Sequence, residues 1–389
     1  MPLKIRYFLQ LLLINYIANF VSSTSLRGAS ATWQSLTLTA MTITRQLWAT
    51  SPCGKEILLY TLTNEKGAYV QLSNIGAGIV SVVVPDKDGN LADVVLGYAD
   101  PMSYFGDGPC SGKTPGRYAN RVALGKFTLD GVEYTLPVNN GPNHLHGGPD
   151  GFQNKIWESR EHDGGVEFLY YSEDGEQGYP GAVKTVVRYD WSEECELRMT
   201  FMAESDAPTV INLTNHAYFN LNGEGNGDIL GHVLQMNASE YLPTDATQIP
   251  LGESAPVAGT PMDFVNGKPV GQDINEDFEP LKIGKGYDHC WVIDGHEEGQ
   301  LQFCCELYAP ESGRVLEIFT TQPGVQVYTG NWLSGCPAGK NGHEYGDYTG
   351  IAMECQNYPD APNKPEYPSS VLRPGELYEQ AIIYAFSIR

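Results

Sequence analysis

The stretch "VINLTNHAYFNLNG", Val210 to Gly223, sets an imidazole and several amides among apolar residues. Side chains alternate between faces in an extended chain. Read as one strand, it puts Val210, Asn212, Thr214, His216 and Tyr218 on one face. Ile211, Leu213, Asn215, Ala217 and Phe219 share the other, which is mostly core. The first face ends on an imidazole and a phenol, so it lines a pocket or a buried polar network. A lone strand histidine is more often a satisfied structural group. A second polar strand end, "GIAMECQNYPD", changes that balance by placing Glu354 between Ala352 and Gln356 on one face. A carboxylate is costly to bury unless it is paired or used. Burial also lifts its pKa toward the range useful to a general base. One imidazole and one carboxylate make an acid/base couple; a buried salt bridge is the structural alternative.

Three further clusters suit a polar, uncharged ligand. "GRYANR" offers Arg117, Asn120 and Arg121, and "NHLHGG" places His144 and His146 before a glycine pair that permits close backbone approach. "GYDH" opens a strand with Asp288 and His289. A hydroxyl both donates and accepts, so planar amide, carboxylate and guanidinium groups among aromatics match the hydroxyls of a sugar. The same inventory could hold a metal. However, His144, His146 and His216 lie on separated segments and no H-E-x-x-H spacing occurs; no metal is expected.

The elements that must position these groups are short strands. "KFTLDGVEYTL" reads as a hairpin turning at Asp130-Gly131. "VKTVVRYDW", "DHCWVID", "LQFCCELY", "GRVLEIFTT" and "YEQAIIYAFSI" continue a pattern with almost no helical periodicity. With 43 Gly, 25 Pro and 23 Tyr, this indicates an all-β chain folded as a large antiparallel sandwich. The chain from Met41 to Arg389 reads as one domain. Residues 1–40 read as an N-terminal extension, either a signal peptide or a disordered tail, with Met41 as an alternative start. "GEGNG" at 223–227 lacks a strand-turn-helix setting and reads as a surface loop.

A net charge of −23 repels phosphate backbones and anionic lipid, so nucleic-acid and membrane partners are not expected. The eight cysteines form no C-x-x-C pair and several sit in apolar strands, which suits reduced thiols and a cytoplasmic location; secretion is the alternative if residues 1–40 hold a signal peptide. Cys304 and Cys305 are expected on opposite strand faces.

In order, "GRYANR", "NHLHGG", "NLTNHAYFNL", "GYDH", "TTQPGVQVYTGN" and "ECQNYPDAPN" resemble the aldose 1-epimerase family, the galactose mutarotases, over roughly Cys53 to Arg389. The resemblance implies a β-sandwich of the galactose mutarotase type and interconversion of the α and β anomers of free aldohexoses, with no cofactor and no required metal. By position it makes His216 the general acid and Glu354 the general base. It makes Asn120, Arg121, His146, Asp288 and Gln326 the groups that hold the sugar. Tyr218 shares the His216 face and is expected to line the same pocket. The roles require His216 protonated and Glu354 ionised near neutrality. A small-molecule aldose is then the partner, and the protein a monomer or weak dimer. The alternatives are a non-catalytic sugar-binding sandwich, a hexose-phosphate epimerase, or a glycoside hydrolase using Asp288 with Glu354. The acidic chain and single close arginine disfavour a phosphate.

Overall fold

Alternation in the sequence becomes two-faced strands. In Val183–Trp191 every second residue is buried, and Glu196–Ser205, its antiparallel neighbour, follows the same rhythm. The structure, a computed structural model, describes residues 41–389. Nine antiparallel strands form the largest sheet, which runs from Glu158–His162 at one edge to Lys268–Pro269 at the other. Tyr378–Ile388 lies inside it, between Glu196–Ser205 and Arg314–Thr320. A five-stranded meander covers Thr42–Thr50 through Leu91–Asp93. The expected hairpin forms between Lys126–Leu129 and Val132–Thr135. Asp130 and Gly131 both take positive φ, as a tight primed turn requires. The α-helix among the described residues is the short Glu279–Gly284.

A six-stranded sheet positions the site. Its spatial order is Tyr218–Phe219, Ile351–Gln356, Gly324–Tyr328, Asp288–Val292, Glu240–Tyr241 and Ala255–Pro256. Met353, Cys355, Val325, Val327 and Trp291 join Val187, Tyr189, Ile318, Ile382 and Tyr384 of the nine-stranded sheet in one apolar core. This is the face-to-face packing of a sandwich. Because faces alternate, Glu354 and Gln326 must project away from that core.

Two expectations about strands fail locally. The single strand expected over Val210–Phe219 exists only at its ends, Thr209–Val210 and Tyr218–Phe219. Between them the backbone bonds to crossing loops rather than to a ladder. Asn212 N–H donates to Arg117 O, and His216 N–H donates to Lys113 O. The amides that looked misplaced among apolar residues act as mortar. Asn215 Nδ2 donates to Gly112 O, and Asn212 Nδ2 donates to Ala119 O. Asn212 and Thr214 therefore do not join His216 and Tyr218 in the cleft. The second failure is at Cys304, the extra residue of a bulge between the Phe303–Phe319 and Cys305–Ile318 pairs. Cys304 meets Cys355 and Cys305 meets Met353, two residues on the same face of one strand, so both thiols reach the same side. The 223–227 segment holds no strand or helix and its three glycines take positive φ; Gly225, Asn226 and Gly227 are exposed, as a surface loop requires, while Gly223 is buried. The N-terminal extension lies outside the described residues.

Candidate active site

A cleft of about 360 Å³ opens on the six-stranded sheet, within the range of small-molecule sites. Its lining includes Asn120, Arg121, His146, His216, Tyr218, Asp288 and Glu354. Glu354 and His216 sit at its base, almost fully buried, with His216 Nε2 and Glu354 Oε1 3.4 Å apart.

Each group has a local reason for its place. Glu354 is turned out of the core by its neighbours Met353 and Cys355. Gln326 is its direct cross-strand partner and Asp288 begins the next strand over. His216 is clasped from both sides, its N–H donating to Lys113 O and its C=O accepting from Gly112 N–H, each at 2.9 Å. The Tyr218 ring packs 5.0 Å from the His216 ring, and its hydroxyl donates to Pro109 O. Tyr218 thus lines the cleft with its ring. His146 follows the strand His144–Leu145, which pairs with Arg121–Val122. Its N–H donates to Asn120 O, and Asn120 N–H donates to His146 Nδ1. Asn120 and His146 both have positive φ, a strained conformation that persists where surroundings dictate it. The glycine after His146 is obligatory: a Cβ on Gly147 would stand 1.8 Å from Gly116 O.

Opposite the His216–Glu354 pair stands a charged clamp. Arg121 Nη2 donates to Gln248 Oε1 at 2.6 Å and meets Asp288 Oδ2 at 3.3 Å, and Arg121 Nε donates to Asn140 Oδ1. Asp288 also accepts from Gln326 Nε2 at 2.6 Å and Gln248 Nε2 at 2.7 Å. Burial alone would raise Asp288, but Arg121 and these donors outweigh it and hold its carboxyl below the usual range. Gln326 Oε1, Glu354 Oε2 and His216 Nδ1 are buried without a protein partner. Buried polar atoms normally find one; Glu354 lines the cleft, so its Oε2 is a position a polyhydroxylated ligand can satisfy.

Seven of the eight site residues named from the sequence line the cleft, and Gln326 joins them through its hydrogen bond to Asp288. Arg117, His144 and His289 do not join them. The Arg117 guanidinium is buried against Pro180 O, Gly181 O and Ser172 Oγ. His144 bonds Tyr179 and Pro137, and His289 packs against Tyr241 and Trp291. Gln248 and Asn140 were missed; both lie in irregular loops where no periodicity marks them. Gln248 joins both halves of the clamp, and losing one charge-assisted hydrogen bond costs about 1.5 kcal/mol or more. Gln248→Ala is therefore expected to raise KM for an aldose about tenfold, with kcat changed far less. Steady-state polarimetry separates the two.

The protonation states differ from expectation. Burial pushes His216 down to about 4, although Asp107 and Asp288 pull the other way. Burial and Asp288 push Glu354 well above the usual range, with Arg121 opposing. Both shifts run against the charged forms, opposite in direction to a protonated His216 and an ionised Glu354. Burial, chiefly, with Arg121 and His216 as close neighbours, pushes His146 well below the usual imidazole range. Sequence separation does not keep the donors of His146, His216 and Glu354 apart; they lie within 4.8 Å of one another. That spacing could suit a metal, but the chemistry of the donors does not. His146 Nδ1 accepts a hydrogen bond from Asn120, so its ring proton sits on Nε2. Metal-bound histidines instead donate through their second nitrogen.

The family model described as aldose 1-epimerase matches residues 58–385. Galactose mutarotase of Sus scrofa is 41% identical over 348 residues, covering 90% of this chain and 99% of that one. Aldose 1-epimerase of Escherichia coli K12 is 38% identical, covering 87% and 97%. Among solved structures, the GalM/aldose epimerase homologue from C. elegans superposes with a TM-score of 0.78 at 33% identity, covering 85% of this chain and 98% of that one. Galactose 1-epimerase from Lactobacillus acidophilus gives 0.79 at 29% identity, covering 90% and 99%.

Proposed function

The chain belongs to the aldose 1-epimerase family and interconverts the α and β anomers of aldose sugars; on that premise we propose that Glu354 is the general base and His216 the general acid. The observation that carries this reading is the 3.4 Å separation of two buried, oppositely disposed proton carriers at the base of the cleft. Glu354 removes the proton of the C1 hydroxyl while His216 protonates the ring oxygen. The C1–O5 bond breaks and an aldehyde forms. Rotation about C1–C2 presents the other carbonyl face. The C5 hydroxyl then re-adds, giving its proton to His216 as Glu354 returns one to the carbonyl oxygen. His146, with its proton on Nε2, donates to the oxygen on which charge develops. Arg121, Asp288, Gln326 and Asn120 hold the remaining hydroxyls, so that only the reacting end turns.

The directions of these two shifts fit this cycle. A charged pair, imidazolium with carboxylate, and a neutral pair, imidazole with carboxylic acid, contain the same one proton. Ring opening converts the first into the second, and closure reverses it. Burial favours the neutral pair, the distribution that accompanies the open aldehyde. A sugar hydroxyl donating to Glu354 favours the charged one. The pair works while it holds one proton, and the limits of that window belong to the pair rather than to either residue.

As pH falls through about 4, the range to which burial pushes the imidazole, the pair takes up a second proton and no base remains. We therefore expect kcat/KM, followed by optical rotation of freshly dissolved α-galactose and α-glucose, to stay nearly flat between pH 7 and 5. The acid limb should point toward about 4. A limb centred near ~6.5, the value of an ordinary imidazole, would overturn the pairing.

Galactose is the proposed first substrate, with glucose beside it, because curated relatives carry galactose in their names. Arg121 is the one arginine or lysine among the lining residues, and it is already engaged by Asp288 and Gln248. This supports a neutral sugar over a sugar phosphate. A cytoplasmic location and a monomer or weak dimer complete the proposal; six buried free cysteines support the first. No described helix is long and apolar enough to cross a membrane.

A further inference from the structure

Trp332 is the one exposed tryptophan among the described residues. It is 67% accessible, yet it lines the cleft whose base is buried. Exposing an indole forgoes the burial that normally recommends it. It is also held in place. Lys285 Nζ lies 4.2 Å from the centre of the ring, within cation–π range. Lys285 is tied in turn to Asp347. Asp347 Oδ1 accepts from Ser334 N–H, and Asp347 N–H donates to Ser334 Oγ, latching the loop that carries Trp332. Trp332 N–H donates to the hydroxyl of Tyr328, another lining residue. An exposed aromatic ring fixed by these contacts at a cleft mouth is preorganised for a ligand.

Depth in the cleft says which part of the ligand it meets. The reacting C1 and ring oxygen must reach His216 and Glu354, 4% and 2% exposed. The opposite edge of the pyranose, around C3 and C4, then lies toward the mouth. We propose that Trp332 is a specificity-determining platform that stacks on the apolar face of the aldose at this remote edge. Pyranose C–H groups gather on one face when the C4 hydroxyl is axial and points to the other. An aromatic ring there favours galactose over glucose, and a hexose over a pentose that lacks C6. The acid/base couple makes no such distinction, because C1 and O5 are alike in all of them. This inference rests on the reading of the cleft as the sugar site and adds the residue that sorts one aldose from another.

Trp332→Ala is expected to raise KM for galactose about tenfold, the scale of one lost aromatic contact, with kcat within about twofold. The rise should be smaller for glucose and smallest for xylose. Trp332→Phe should recover most of the difference, since it keeps a ring. A merely structural residue would instead lower kcat or stability alike for every sugar. Binding is read independently by acrylamide quenching, taking as the Trp332 signal the part that Trp332→Phe removes. Galactose should shield that fluorescence in a Glu354→Gln background, where turnover is lost. Equal KM changes for galactose and xylose, or no shielding by galactose in that background, overturn the platform. Undiminished turnover in Glu354→Gln would instead overturn the base assignment and leave the shielding result standing.

Discussion

Glu354→Gln is expected to lower kcat for aldose mutarotation by ~10²–10⁴, the range attributed to one positioned proton carrier. The amide keeps the shape of the carboxyl and an acceptor oxygen, but it can neither take nor return a proton. Folding should survive. Glu354 Oε2 has no protein partner, and burial already disfavours the charge that glutamine removes. The melting temperature should hold or rise. His216→Gln should produce a loss of similar size, and the double variant little more than either single one. Two groups that act on one sugar in the same step, one taking a proton as the other gives one, act as a unit, and their removal is non-additive. Polarimetry on freshly dissolved α-galactose, corrected for the spontaneous rate, measures all three. A loss below about tenfold in Glu354→Gln would mean that another group takes the proton. Two losses that multiply in the double variant would mean that the residues act on separate steps. His146 is poorly placed to substitute, because its unprotonated nitrogen already accepts from the Asn120 backbone.

Strand alternation accounts for what could be read from the sequence. It orients Glu354 without any fold in view, because Met353 and Cys355 are plainly core residues and every second side chain must face away, whereas Gln326 is found through the motif resemblance. The Asp130-Gly131 turn and the two-faced strands Val183–Trp191 and Glu196–Ser205 are legible for the same local reason. Alternation fails where backbone bonding leaves the ladder. Between Ile211 and Ala217 the side chains of Asn212 and Asn215 bond crossing loops, and a bulge at Cys304 brings two neighbouring thiols to one side. The motif resemblance found His216 where the strand reading gave it the wrong setting. Neither route finds Gln248, a turn residue whose role exists only when Arg121 and Asp288 close around it. Protonation is also illegible locally. His216 and Glu354 are shifted mainly by burial, and burial depends on the whole sandwich.

That burial has a second consequence, for stability against acid. His144, His216, His232 and His289 are each at most 4% exposed, and each is pushed down to about 4 chiefly by desolvation. In the unfolded chain a histidine binds its proton near ~6.5. Between those values the unfolded state holds more protons than the native state, so every step down in pH favours unfolding. From pH 7 to 5 each group removes roughly 2 kcal/mol, and the four together roughly 7. Typical total stability is only about 5–15 kcal/mol. Glu354 and Asp360 work in the opposite sense. Their folded pKa values are raised by burial, so the native state takes up protons first and gains stability as pH falls through them. The net result is a steep acid loss that starts near pH 6.5, well above the range where carboxylates titrate. Urea unfolding should show it as a midpoint about 1–2 M lower at pH 5 than at pH 7. His232→Gln gives the control. Its amide oxygen can still accept the Leu221 N–H that His232 Nε2 now accepts, while one titrating group is lost. Its pH slope should flatten by about one proton's worth, roughly 1.4 kcal/mol per pH unit where the histidine titrates. Glu354→Gln should steepen the acid loss instead, because an offsetting carboxyl is gone. A wild-type midpoint constant from pH 7 to 5 would mean that these imidazoles are not held neutral. The pH window assigned to the His216–Glu354 pair would fall with them.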